Sequence, residues 1–147
     1  MKKAVFVVTI FATLAFLAFA DNGQYCPESD FAFTVIDNGT AVEITGYVGS
    51  NTDVRIPDRI QGLPVTVIGA GAFWGNQLTS VNIPDSVTHI GIRAFAWNQL
   101  TSVSIPDSVT HIDMEAFAEN QLTSVSVPGG AFVHPQAFDS QVTVTRR

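Results

Sequence analysis

The chain repeats itself at a fixed period, and a fixed period constrains the fold more tightly than any local propensity. Residues 78–99 read LTSVNIPDSVTHIGIRAFAWNQ and residues 100–121 read LTSVSIPDSVTHIDMEAFAENQ, a period of 22 residues. The frame reaches backward, because Val54-Arg55-Ile56-Pro57-Asp58 matches Val81 to Asp85 and Ala72-Phe73 matches Ala94-Phe95, with five extra residues around Gln61 to Val65. It also reaches forward: LTSVSVP at 122–128 opens a copy that closes at Ala137-Phe138, one residue short, with its polar turn rewritten as Gly129-Gly130. About 3.5 coils are legible, and a chain built this way predicts a solenoid in which each coil touches only its neighbours.

Each unit has a physical reading. Val81 and Ile83 alternate around a polar residue as a short half-buried strand does, and Pro84 ends it because proline cannot donate to a ladder. Asp85-Ser86 suits a tight turn, Val87 and Ile90 form a second apolar pair, and Ala94-Phe95 falls in a short helical or turn segment leading to Asn98. No coil can bury its apolar side alone. Stacking coils at about 4.8 Å joins Val81, Val103 and Val125 into one row and Phe73, Phe95, Phe117 and Phe138 into another. Asn76, Asn98 and Asn120 recur at the same period, and an inward asparagine can satisfy main-chain groups that a tight bend leaves unpaired.

The pattern carried by Leu78 to Asn98, with its I-P-D-S-V-T and A-F elements, resembles the leucine-rich repeats of the BspA-like bacterial surface antigens, over about Val54 to Phe138. Phe31 to Tyr47 also resembles the segment that often precedes such repeats. The resemblance implies a right-handed, β-rich α/β leucine-rich-repeat superhelix with a parallel sheet on one side. It further implies adhesion or protein recognition at the bacterial surface, without enzymatic activity.

The ends complete the organisation. Lys2-Lys3, an apolar run to Phe19 and the small-x-small exit Ala18-Phe19-Ala20 have the layout of an export signal at 1–20, which predicts a mature chain from Asp21, secreted, surface-held or periplasmic. The rest divides into an extension and cap at 21–53 and the solenoid with a C-terminal strand at 54–147. In the cap, the alternation of Phe31, Phe33 and Val35, then Asp37-Asn38-Gly39-Thr40, then Val42, Ile44 and Tyr47 predicts a β-hairpin over the first coil. Asn38-Gly39-Thr40 is also a glycosylation sequon, but the turn accounts for it. Val142 and Val144 predict a last strand, with Arg146 and Arg147 as charges that discourage edge pairing. Cys26 lies beyond the cleavage point, so a lipid anchor is not expected, and its thiol is either free or bridges two copies.

Without residues 1–20 the chain sets five arginines against thirteen acids, a formal charge of −8. Nucleic acid is excluded as a partner by the lack of a clustered basic face, and no run after the signal is long enough to span a membrane. The partner expected is an extracellular protein or glycan, or a second copy met through the end coils or Cys26. No cofactor is expected.

Two constellations suggest chemistry. Asp85, Ser86 and His89, repeated as Asp107, Ser108 and His111, contain the residue types of a catalytic triad, but a triad must converge on a pocket with an oxyanion site, whereas a repeat copies residues for stacking. His89 and His111 are expected to stack on adjacent coils; two histidines fall short of the four ligands of a structural zinc site, so they are read as surface positions and, with Trp74 and Trp97, as candidate protein contacts. Trp74 aligns with Ala96, and Trp97 with Gly75 and Glu119, so neither indole belongs to the repeat pattern. Tryptophan is enriched at binding hot spots, which makes Trp97 the leading contact; the alternative is a lid over Phe95 or Phe117.

Overall fold

The computed structural model describes residues 25–147; the export signal expected at 1–20, and its cleavage point, lie outside them. Strand β1 (Phe31–Ile36) turns through Asp37, Asn38 and Gly39, at φ of 52°, 56° and 92°, into antiparallel β2 (Ala41–Tyr47), forming the hairpin that the alternation predicts. Next come β3 (Asp53–Arg55), β4 (Arg59–Ile60), β5 (Leu63–Ile68), β6 (Ser80–Asn82) and β7 (His89–Ile90). The chain ends with β8 (His111–Ile112), β9 (Ser124–Val127), β10 (Phe132–Val133) and β11 (Thr143–Arg146). The five extra residues of the first copy are the β4–β5 hairpin, whose turn residues Gln61 and Gly62 are both left-handed, at φ of 51° and 78°.

The strands form one large sheet and two small ones. The large sheet runs β1-β2-β5-β7-β8-β10 with β4 attached to β5, and every pairing from β2 onward along that path is parallel. It passes through the Thr-His-Ile part of each repeat, the second apolar pair. The Leu-x-x-Val-x-Ile part pairs only in pieces, β3 with β6 and β9 with β11, and Val103 between them lies outside any strand. Ile44, Ile68, Ile90, Ile112 and Val133 share one register row, and the four isoleucines are fully buried. Leu78, Leu100 and Leu122 are buried in the same core.

Two expectations change. The expectation of an α/β superhelix has no α-helix to support it among the described residues, where helical geometry is confined to 3-10 turns at Glu28–Asp30 and Asp37–Gly39. Around Ala94-Phe95 the reason is local. Arg93 and Trp97 stand at φ of 55° and 59°, as do Glu115 and Glu119 at 56° one coil on, and left-handed residues on both sides of the pair prevent a right-handed helix. The second change is the coil count. The aromatic rungs number five, Tyr47, Phe73, Phe95, Phe117 and Phe138, which gives about five turns in place of 3.5. The first turn is hidden in the sequence because tyrosine replaces phenylalanine and β2 supplies its strand: Ile44 pairs with Ile68, and the Tyr47 amide donates to the Ala72 carbonyl at 2.8 Å.

The rungs carry the stability. Ring centroids lie 5.5, 4.9, 5.2 and 5.2 Å apart along the column, with interplanar angles of 26°, 14°, 13° and 6°. That spacing is close to the strand separation of a sheet, so side-chain stacking and main-chain pairing are satisfied by the same translation. Phe31 closes the near end, 5.6 Å from Tyr47. Beside the rings runs the asparagine ladder. Asn98 Oδ1 accepts from the Leu78 amide at 2.9 Å, and its Nδ2 donates to the carbonyls of Phe73 (2.8 Å) and Phe95 (2.9 Å), tying two coils together. Asn120 repeats the pattern with Leu100, Phe95 and Phe117. Asn76 does not: its amide donates to the Trp74 carbonyl at 3.3 Å, within its own coil.

Three outcomes are expected. Phe95→Ala should lower stability by about 3–5 kcal/mol in urea melts, since it opens a cavity between two rings. Asn98→Ala should cost roughly 2–3 kcal/mol and Asn76→Ala less than about 0.5, because only the first leaves buried main-chain groups unpaired. The Tyr47 phenol is held above its ordinary pKa of 10.0 by burial and by Cys26 and Asp30, against the Asn51 amide that donates to it. The folded state therefore holds this proton more tightly than the unfolded chain; its contribution is complete below pH 10 and fades as pH rises through the folded value. Tyr47→Phe should flatten that alkaline loss in melts recorded from pH 8 upward.

Candidate functional site

Two surfaces gather the residues singled out by the sequence. The first is the turn edge after the phenylalanine column. Trp74 and Trp97 are 56% and 59% exposed, and both border one shallow depression with Arg93, Glu115, Glu119 and Asp139. Trp97 is exposed while Phe95 and Phe117 are buried. Its backbone is also unfavourable. The frame position of Gly75, Trp97 and Glu119 is left-handed in all three coils, at φ of 66°, 59° and 56°. Glycine adopts that conformation freely, whereas a residue with a Cβ gives up roughly 1–2 kcal/mol there.

Charge around the depression is uneven. Arg93 Nε donates to Glu115 Oε2 at 2.5 Å, which lowers the Glu115 carboxyl pKa and raises that of the guanidinium, so the pair is internally neutral. Asp139 is fixed by the amides of Glu119 (3.1 Å) and Asn120 (3.4 Å), its carboxylate serving Glu119 as the Ala96 and Ala118 carbonyls serve the Gly75 and Trp97 amides in earlier coils. Glu119 is exposed. Sequence reasoning missed these four charged residues. The available signal was the frame position itself, which holds glycine at 75 and then Trp97 and Glu119 in the next two coils.

The second surface is the outer face of the large sheet, where Glu43, Val67, His89, His111 and Phe132 share one register row. His89 and His111 stack as expected, with centroids 4.6 Å apart and planes within 5°, and Phe132 continues the row 5.9 Å beyond. The hydrogen bonds assign their tautomer. Thr88 Oγ1 donates its proton to the Thr66 carbonyl, and Thr110 Oγ1 to the Thr88 carbonyl, so each hydroxyl oxygen accepts from the neighbouring imidazole Nδ1–H, at 2.8 and 3.0 Å. The structure brings the histidines to each other and the tryptophans to one depression, on two separate surfaces.

The triad reading finds no geometry. Ser86 Oγ donates to the Asp58 carbonyl at 3.2 Å and Ser108 Oγ to the Val87 carbonyl at 2.6 Å, so both hydroxyls bind the main chain of the preceding coil. Arg146 and Arg147 also turn inward: Arg146 donates to the carbonyls of Gly129 and Ala131, and Arg147 pairs with Asp107 at 2.8 Å. Cys26 is buried, its sulfur accepting from the Arg55 amide at 3.4 Å, so the thiol does not face outward toward a second copy. No helix among the described residues is long and apolar enough to cross a membrane.

Solved structures share this architecture. A leucine-rich repeat protein from Bacteroides capillosus ATCC 29799 is 26% identical with a TM-score of 0.73, covering 84% of this chain and 99% of its own. The leucine rich repeat protein of T. pallidum is 24% identical with a TM-score of 0.63 over 75% of this chain; the match spans 64% of the T. pallidum chain. A third, from Bacteroides ovatus ATCC 8483, is 20% identical with a TM-score of 0.52, covering 79% of this chain and 39% of that one. No curated protein sequence matches the chain. The pattern described as BspA type Leucine rich repeat region (6 copies) matches residues 47–145, beginning at the Tyr47 rung and ending within β11. With five stacked aromatic rungs, a repeating asparagine ladder and a family match across two thirds of its length, the chain belongs to the BspA type leucine-rich-repeat family.

Proposed function

We propose that the chain is an exported, non-enzymatic recognition module that holds an extracellular protein or glycan at the bacterial surface, secreted or surface-held, and uses no cofactor. One observation carries the reading: two tryptophans, each more than half exposed, border the same depression, and one of them occupies a left-handed position that glycine fills in the preceding coil. Exposed aromatic area and backbone strain both disfavour a residue whose only role is folding, and both are tolerated where the side chain meets a partner. The signal-like layout of residues 1–20, with Lys2-Lys3 before an apolar run, supports the extracellular setting. Family membership supports a binding role, since a repeat scaffold presents surface rather than an enclosed reaction site.

A second reading is assembly with copies of itself through the end coils. It is favoured by β11, which lies at the edge of its two-stranded sheet, and by Val144 and Phe132 on the last coils, 42% and 53% exposed. Burial of Cys26 argues against the disulfide route to such an oligomer, because the bridge would require the first coil to open.

The two readings separate in one experiment. Residues 21–147 are immobilised and offered to extracellular-matrix proteins and whole bacterial cells, beside Trp97→Ala and Trp74→Ala, while the mass of each protein in solution is measured by light scattering. Recognition predicts a monomer that captures a partner, with capture reduced at least about tenfold in Trp97→Ala. A concentration-dependent oligomer with no capture would replace recognition by assembly.

A further inference from the structure

The partner chemistry can be narrowed, resting on the recognition reading above. Around the tryptophan depression the only cation, Arg93, is already paired with Glu115, which leaves Glu119 and Asp139 as uncompensated negative charges beside two exposed indoles. Asp139 is held in place by the Glu119 and Asn120 amides, so its carboxylate is oriented before anything binds. The strained frame position bears both kinds of group, an indole in one coil and a carboxylate in the next. An indole face attracts a cation through its quadrupole, and a nearby carboxylate adds charge pairing in a partly desolvated setting. The chain as a whole reinforces this, with thirteen acids against seven bases and a pI near 4.7. The outer face of the large sheet offers no equivalent: its register row of Glu43, Val67, His89, His111 and Phe132 contains no indole.

We infer that the depression between Trp74, Trp97, Glu119 and Asp139 takes a basic polypeptide segment, a lysine or arginine side chain of the partner lying against an indole face while the carboxylates neutralise it. A neutral sugar would also stack on indoles, but it would gain nothing from the unpaired charge, and an acidic segment would be repelled. Charge pairing of this exposed kind weakens with salt, whereas stacking of a neutral ring does not.

The chain offers its own reporter. It contains two tryptophans, and both border the depression, so intrinsic emission reads this site alone. The probes are an octapeptide alternating lysine and glycine, its glutamate counterpart and an N-acetylglucosamine hexamer, titrated into residues 21–147; affinities for the variants come from anisotropy of the fluorescein-labelled lysine peptide. The expected result is a saturable emission shift with the lysine peptide alone, weaker at 0.5 M salt, with affinity reduced roughly tenfold in Trp97→Ala and about threefold in Glu119→Gln. Trp97→Phe should retain most of the affinity, and thermal melts confirm that each variant is folded. Saturation by the sugar but not the peptide would overturn the inference in favour of a glycan platform. Peptide binding unchanged in both Trp97→Ala and Glu119→Gln, or no response to any probe, would also overturn it. If Trp97-dependent capture of a natural partner persists while the lysine peptide fails, the recognition reading stands and only the basic partner falls; loss of both removes the two together.

Discussion

The translation of about 5 Å that relates one coil to the next governs the rest of the structure. Parallel strands must sit near that separation to exchange hydrogen bonds, and stacked phenyl rings are in contact at the same distance. Phe73, Phe95, Phe117 and Phe138 therefore form a column with spacings of 4.9, 5.2 and 5.2 Å while β5, β7, β8 and β10 pair in register beside them. The asparagine ladder belongs to the same translation. Asn98 accepts from one coil and donates to carbonyls of two, a geometry available only when adjacent bends superimpose. Rings supply apolar burial, and asparagines settle the polar groups of the bend.

The first and last described coils depart from the repeat in what they add to the column. At the start, the β1–β2 hairpin contributes Ile44 to the isoleucine row and Tyr47 to the rings, with Phe31 packed across Tyr47. The phenol then uses its hydroxyl on Asn51, a role a phenylalanine could not fill. At the far end, Asp139 accepts from the amides of Glu119 and Asn120, and Arg146 and Arg147 reach back to carbonyls of earlier coils. The terminal arginines thus stitch the last strand to the solenoid, a stronger constraint than the edge-blocking role that their sequence position suggests.

Surface chemistry follows from where the repeat is obeyed and where it is broken. Obeying it places His89 over His111 and fixes both as Nδ1–H tautomers through Thr88 and Thr110, a consequence of copying. Breaking it places Trp74 and Trp97 at different frame positions on successive coils, yet both border the same depression. The same turn bends through left-handed residues, which is why it contains no helix.

By itself the sequence determined the solenoid, its 22-residue period, the phenylalanine column, the histidine stack and the hairpin at 31–47, because each is a matter of periodicity or turn chemistry carried by contiguous residues. It determined the pairing role of Asn98 and Asn120 but wrongly extended it to Asn76, whose amide bonds within its own coil. The number of turns, the course of the large sheet through His89-Ile90, the pairing of Arg93 with Glu115 and the gathering of Glu119 and Asp139 beside the indoles were decided only by the tertiary structure. These depend on which groups on neighbouring coils face each other once stacked, and on backbone angles at Trp97 and Glu119 that residue identity disfavours. A linear pattern records the period of the coil; the direction in which each turn residue points is set by the coil above and the coil below.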